Sequence, residues 1–68
     1  MKIIFNNEER EYEEGLTLED LVQEFKGNQR VSHVGAWVNN KMVRPDAYSK
    51  TEIQDGDTAT VKRFAAGG

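Results

Sequence analysis

The sequence predicts an α+β domain in which one main helix packs across one face of a mixed sheet of four to five strands. Short apolar segments with a two-residue alternation occur near both ends of the chain, and an amphipathic segment follows the first of them. Asparagine and glycine residues that favour turns separate these segments. A chain of 68 residues is long enough for one small core. Because it has no cysteine, no disulfide can stabilise that core.

The first segment predicts a β-hairpin. Ile3 and Phe5 alternate with their neighbours, as expected for a strand that buries one face. Asn6-Asn7 suits the turn, because asparagine tolerates positive φ. We expect Arg10–Tyr12 to return as the partner strand, with Tyr12 facing inward.

A helix of two to three turns is predicted next, after Gly15 has closed the hairpin. Thr17 and Asp20 have the spacing of a capping box, in which each side chain bonds the other residue's backbone N–H. Gly27 is a suitable C-terminal stop. The apolar residues of the helix recur at the spacing of a single helical face: Leu18, Leu21, Val22 and Phe25.

The second half of the chain predicts strands that return to the sheet. After a loop at 27–32, we expect a strand at 34–38, a turn at Asn39-Asn40 and a short return strand at Met42-Val43, which Pro45 ends. A helical turn at 46–49 and a tight turn at 55–57 should follow. The last strand should point Ala59 and Val61 inward. The element order ββαβ(β)β matches the β-grasp, or ubiquitin-like, arrangement. We therefore assign residues 1–64 to one β-grasp domain and residues 65–68 to a flexible C-terminal tail.

Charge and hydropathy exclude several classes of function. Acidic side chains dominate residues 1–25, whereas residues 26–68 are mildly basic, and the net charge is −3. An acidic chain without a basic stripe is not expected to bind nucleic acid. The apolar runs are too short to span a membrane, and the lack of cysteine suits a cytoplasmic location.

The side chains needed for an enzyme active site are missing. His33 is the only histidine, and without cysteine the chain can form neither a Cys-His dyad nor an ordinary zinc site. The turn at 55–57 lacks the spaced oxygen ligands of a calcium loop, and the chain has no glycine-rich phosphate loop. We expect a protein that is not a catalyst and binds no cofactor or metal of its own.

The diglycine Gly67-Gly68, preceded by Ala65 and Ala66, is the remaining candidate for a chemical function. Glycine lacks a Cβ, so such a tail can thread into a narrow catalytic channel. A carboxylate is a poor electrophile, and coupling the Gly68 carboxylate to AMP would activate it for attack by sulfur or an amine. That step requires a partner enzyme that uses ATP, because nothing in this chain resembles an ATP site.

The chain resembles the sulfur carriers of the ThiS family, which serve thiamine biosynthesis, and more distantly the small subunit of molybdopterin synthase (MoaD). The matching segments are Met1–Asn6, Glu14–Leu18 with Leu21, Val38-Asn39, Asp55–Asp57 and Ala66–Gly68. The resemblance implies a β-grasp carrier whose Gly68 is adenylated and converted to a thiocarboxylate. It also implies three partners, which are an E1-like adenylating enzyme of the ThiF/MoeB type, a sulfur donor such as a cysteine desulfurase, and a sulfur-accepting synthase of the thiazole synthase kind.

Three functions stay open at this point. The first is a sulfur carrier, for thiazole formation or for another pathway such as molybdopterin synthesis. The second is a ubiquitin-like modifier whose Gly68 forms an amide with lysines of target proteins. The third is a β-grasp interaction module with an inert tail.

A docking face for the partners is also predicted. In a β-grasp sheet the first and last strands are central neighbours, and strand alternation sends Ile4, Trp37 and Phe64 to the face away from the helix. We expect these three residues to form an apolar patch near the tail, unless a loop covers Trp37. Lys62 and Arg63 would steer this face towards an acidic partner surface.

Overall fold

The computed structural model describes residues 1–27 and 33–64. In chain order the elements are β1 (Lys2–Phe5), β2 (Glu8–Glu11), α1 (Leu18–Lys26), β3 (Val34–Val38), β4 (Lys41–Val43), a 3-10 helix (Pro45–Lys50) and β5 (Thr58–Arg63). The strands form one five-stranded sheet in the order β2-β1-β5-β3-β4. The pairing of β1 with β5 is parallel and the other pairings are antiparallel. The predicted mixed sheet with one helix across it is confirmed.

The two asparagine pairs form the hairpin turns predicted for them. Asn6 and Asn7 have φ values of 50° and 69°, and Asn39 and Asn40 have values of 52° and 69°. Consecutive positive φ values give a turn whose twist matches the right-handed twist of the flanking strands. Asparagine therefore sets the register of both hairpins.

The capping box at the start of α1 is also confirmed. The Thr17 hydroxyl accepts a hydrogen bond from the Asp20 backbone N–H at 3.3 Å, and the Asp20 carboxylate accepts one from the Thr17 N–H at 3.0 Å. Gly27 ends the helix at φ 56°. The predicted loop that follows lies largely outside the described residues.

The predicted bounds of β2 are wrong by about two residues. The strand covers Glu8–Glu11, and all four of its side chains are exposed, so it carries no apolar alternation that would reveal its limits. Tyr12 follows the strand and is partly buried against the core. Its hydroxyl donates to the Glu24 carboxylate of α1, which also accepts a hydrogen bond from Arg10 at 2.7 Å.

The core lies between α1 and one face of the sheet. Its buried residues are Ile3, Phe5, Leu18, Leu21, Val22, Ala36, Tyr48, Ile53, Ala59 and Val61. Ile53 and Tyr48 were not predicted as core residues. Ile53 is buried because its backbone N–H donates to the Leu16 carbonyl at 2.8 Å, which brings the segment before β5 beside the start of α1.

Candidate functional site

Phe64 is the last described residue before the predicted tail, and it continues the line of β5. Its backbone N–H donates to the His33 carbonyl at 3.0 Å, one step beyond the Val34–Arg63 pair of the β3–β5 ladder. The residues assigned to tail threading (Ala65, Ala66 and Gly67) and to attachment (Gly68) lie outside the described residues. The root of the tail is therefore Phe64.

Two asparagine side chains brace β5, the strand that leads to this root. The Asn6 amide oxygen accepts from the Val61 N–H at 2.8 Å, beyond the end of the β1–β5 pairing. On the other side, the Asn39 amide accepts from the Thr58 N–H and donates to the Asp57 carboxylate, both at 3.0 Å. Each brace satisfies a backbone group that the sheet ladders leave unpaired. Asn6, Asn39 and Asp57 all lie within segments that carry the family resemblance.

Trp37 and Phe64 contact each other on the face of the sheet away from α1. Their ring centroids are 6.2 Å apart and the ring planes meet at 76°, which is an edge-to-face contact. Both rings lie over Gly35. A Cβ at that position would be 2.6 Å from Phe64 Cζ and from Trp37 Cη2, so the rings occupy the space that a larger residue would need.

The large hydrophobic side chains that are exposed in the described residues are Ile4, Met42 and Phe64, and all three lie on this uncovered face. Met42 is 63% exposed and pairs directly across from Trp37. It was not predicted as part of the docking face. The two-residue turn at Asn39-Asn40 could have revealed it, because that turn sets Met42 opposite Trp37.

The structure brings together only part of the predicted patch. Ile4 lies on the uncovered face but pairs with Thr58, at the far end of β5 from Phe64. At about 3.3 Å per residue, Thr58 and Phe64 are roughly 20 Å apart along the strand. The ring pair of Trp37 and Phe64 therefore lies at the tail root, and Ile4 lies well away from it.

The two basic residues beside the tail lie on different faces. Lys62 pairs with Gly35 and lines a shallow depression together with Trp37, on the uncovered face. Arg63 is exposed and, by strand alternation, projects towards the side that carries α1. Of these two residues, Lys62 is the one that adds positive charge beside the aromatic rings on the uncovered face.

The opposite edge of the uncovered face is acidic. Glu9 and Glu11 pair with Ile4 and Lys2, so they share the face of these two residues. The Lys2 ammonium lies 3.7 Å from a Glu9 carboxylate oxygen in an exposed ion pair. Charge is thus divided along the face, with carboxylates at the β2 edge and a lysine near the tail root.

The described residues include no group of three or more histidine or acidic side chains arranged to hold a metal. Within the same ranges, no helix combines the length and the apolar character needed to cross a bilayer.

The mixed five-stranded sheet with one helix across it places the chain in the class of small proteins with a β-grasp, or ubiquitin-like, fold. The model of the ThiS family matches residues 3–68. The chain therefore belongs to the ThiS family.

Two solved structures support the fold. The crystal structure of the thiamine biosynthesis protein ThiS from Geobacter metallireducens has a TM-score of 0.80 and 24% sequence identity, with 100% of each chain covered. A solution NMR structure of a thiamine biosynthesis protein from the same organism has a TM-score of 0.71 and 20% identity, and covers 100% of this chain and 88% of the other. No curated protein matches the chain. The predicted β-grasp fold is confirmed.

Proposed function

We propose that this protein is a sulfur carrier for thiamine biosynthesis, and that the carboxylate of Gly68 is adenylated and then converted to a thiocarboxylate. The observation that carries the proposal is the family match, which extends through Gly67-Gly68. The ThiS family consists of small sulfur carrier proteins. The Geobacter metallireducens structures, whose fold this chain shares, are described as thiamine biosynthesis proteins.

The proposed chemistry takes place on the tail and needs no catalytic side chain of this protein. An oxygen of the Gly68 carboxylate attacks the α-phosphorus of ATP, and pyrophosphate leaves. The terminal sulfur of a donor persulfide then attacks the acyl-adenylate and displaces AMP, which gives an acyl disulfide. A second thiol of the partner reduces this S–S bond, so that the donor ends as a disulfide and Gly68 as a thiocarboxylate. Because the sulfur is carried on the main-chain carboxyl group, the absence of cysteine is compatible with this role.

The proposal requires partners that supply what this chain lacks. An E1-like enzyme of the ThiF/MoeB type would use ATP to activate Gly68, and a donor such as a cysteine desulfurase would provide the sulfur. A synthase of the thiazole synthase kind would accept it. We expect these reactions to occur in the cytoplasm, where ATP is available.

We further propose that the adenylating enzyme docks on the uncovered face, at Trp37 and Phe64, with Lys62 beside them. Four residues follow Phe64, and a fully extended chain of four residues spans at most about 14 Å. The partner's catalytic site must therefore come within about that distance of Phe64. Large aromatic side chains often anchor interfaces, which favours the ring pair. Ile4 would be a peripheral contact on this face, whereas Arg63, which projects towards the side that carries α1, would contact the partner only beside the tail root.

Intact mass spectrometry tests the function directly. The protein is co-expressed with the E1-like enzyme and the cysteine desulfurase of its own genome, and its mass is compared with that of protein expressed alone. We expect a mass increase equal to the replacement of one oxygen by sulfur, located at Gly68 by fragmentation. Conjugates to lysine would instead identify a modifier, and an unchanged mass with these partners would contradict the carrier role.

A further inference from the structure

The rings of Trp37 and Phe64 fill the space above Gly35. Trp37 is fixed in the middle of β3, whereas Phe64 is the residue from which the tail departs. Their edge-to-face contact covers Gly35. The backbone N–H of Phe64 donates to the carbonyl of His33, the residue just before β3. Side chain and backbone of Phe64 are thus both held against β3.

We infer that Gly35 and Trp37 are positioning residues that hold Phe64 against β3, so that the tail leaves the domain in a fixed direction before any partner binds. We call this arrangement of Gly35, Trp37 and Phe64 the tail clasp. The inference rests on the proposed function, because it assigns the clasp to adenylation of Gly68. The residues of the tail clasp neither touch the Gly68 carboxylate nor take part in the reaction, and their role is to position the tail.

The physical argument is one of entropy. The tail is short, so the direction of its root decides how often Gly68 can reach a catalytic site within about 14 Å. Releasing the root frees at least one more residue, which the partner must then order again. Ordering one residue costs about 1–2 kcal/mol. This cost lowers the fraction of complexes that hold Gly68 in the catalytic site by a factor of about 5 to 30.

Glycine at position 35 is what allows the clasp to form. Its φ is not in the left-handed region, so alanine can adopt the same backbone conformation. An alanine Cβ, however, would be 2.6 Å from Phe64 Cζ and from Trp37 Cη2 and 2.9 Å from Phe64 Cε2. At least one ring must move. Gly35→Ala therefore opens the clasp while it keeps both aromatic side chains available to a partner.

The test is a double-mutant cycle between positions 35 and 64, read out as steady-state adenylation by the E1-like enzyme. Phe64→Leu removes the Cζ and Cε2 atoms that the new Cβ would meet, and it leaves room for the Trp37 ring to shift. We expect Gly35→Ala to lower kcat about 5- to 30-fold in the parent chain. In the Phe64→Leu background the same change should lower kcat by less than about twofold.

The matched control is Thr58→Ala, which lies on the same face of the sheet at the opposite end of β5. It should leave kcat unchanged. Separate values of kcat and KM distinguish the clasp from simple docking, because a lost partner contact raises KM, whereas a misdirected tail lowers kcat. Equal losses for Gly35→Ala in both backgrounds, or a loss confined to KM, would overturn the inference.

A second measurement needs no partner and so separates the clasp from the proposed function. Hydrogen exchange of the Phe64 amide, which donates to His33, should become about 5- to 30-fold faster in Gly35→Ala. The amides of Ala59 and Val61 should keep their protection. Unchanged exchange at Phe64 would refute the clasp itself. Accelerated exchange in a protein that no E1-like enzyme adenylates would leave the clasp in place and contradict the function.

Discussion

Trp37→Ala removes the larger ring beside the tail root and tests whether the uncovered face binds the adenylating enzyme. Trp37 is half-buried, and its ring contacts Phe64 and lies across from the exposed Met42. Truncating an aromatic anchor at an interface typically costs more than about 1 kcal/mol. That corresponds to a rise in Kd of more than about fivefold.

The effect of Trp37→Ala on folding should be smaller than that of a core change. An edge-to-face ring pair contributes about 0.5–1.5 kcal/mol beyond its buried area. For a domain of this size, a loss of about 1 kcal/mol lowers Tm by roughly 4–8 °C. Ile53 is only 1% exposed in the core, and Ile53→Ala should cost about 2–5 kcal/mol. That loss is comparable with the whole stability of a small domain.

The assay combines titration calorimetry against the E1-like enzyme without ATP with thermal unfolding of the free protein. Thr58→Ala serves as the control on the same face, and it should bind as the parent chain does. The reasoning would be refuted if Trp37→Ala bound with unchanged Kd. It would also be refuted if Trp37→Ala lowered Tm as much as Ile53→Ala, because Trp37 would then be a core residue.

Three further predictions concern the tail, the helix cap and a buried phenol. Deleting Gly68, or replacing Gly67 with Val, should abolish or sharply reduce adenylation and leave the urea midpoint unchanged; unfolding, or intact sulfur transfer, would contradict the tail assignment. Thr17→Ala should lower the free energy of unfolding by about 0.5–2 kcal/mol, whereas Thr17→Ser keeps the hydroxyl that caps the Asp20 N–H and should lose much less. Burial disfavours the charged phenolate of Tyr48 and so raises its pKa in the folded state. Stability should be full below about pH 10 and fall as the pH rises through the folded-state pKa, and urea titrations should show a shallower fall for Tyr48→Phe.

The features that could be predicted from the sequence are those set by local chemistry. The Asn6-Asn7 and Asn39-Asn40 turns depend on the tolerance of asparagine for positive φ. The start of α1 depends on the spacing of Thr17 and Asp20. Each of these signals lies within about four residues, so the rest of the fold is not needed to interpret it.

The features that were missed depend on contacts distant in sequence. Ile53 lies in an irregular segment without periodicity, and its burial follows from pairing with the residues just before α1. Met42 becomes part of the uncovered face only through its register with Trp37. The position of Ile4, on the predicted face but far from the tail root, follows from the offset of the parallel β1–β5 pair. Alternation predicts a side chain's face but not its place along that face.

The register of β5 links the core to the tail. A slip of one residue would send Ala59 and Val61 to the uncovered face and bring Thr60 and Lys62 into the core. It would also turn Phe64 away from Trp37 and change the direction in which the tail departs. The hydrogen bonds that the Asn6 and Asn39 side chains accept from the Val61 and Thr58 N–H groups oppose such a slip from both sides of the strand. The same hydrogen bonds that stabilise the fold therefore fix where the tail begins, and the proposed adenylation of Gly68 would require no residue of the core.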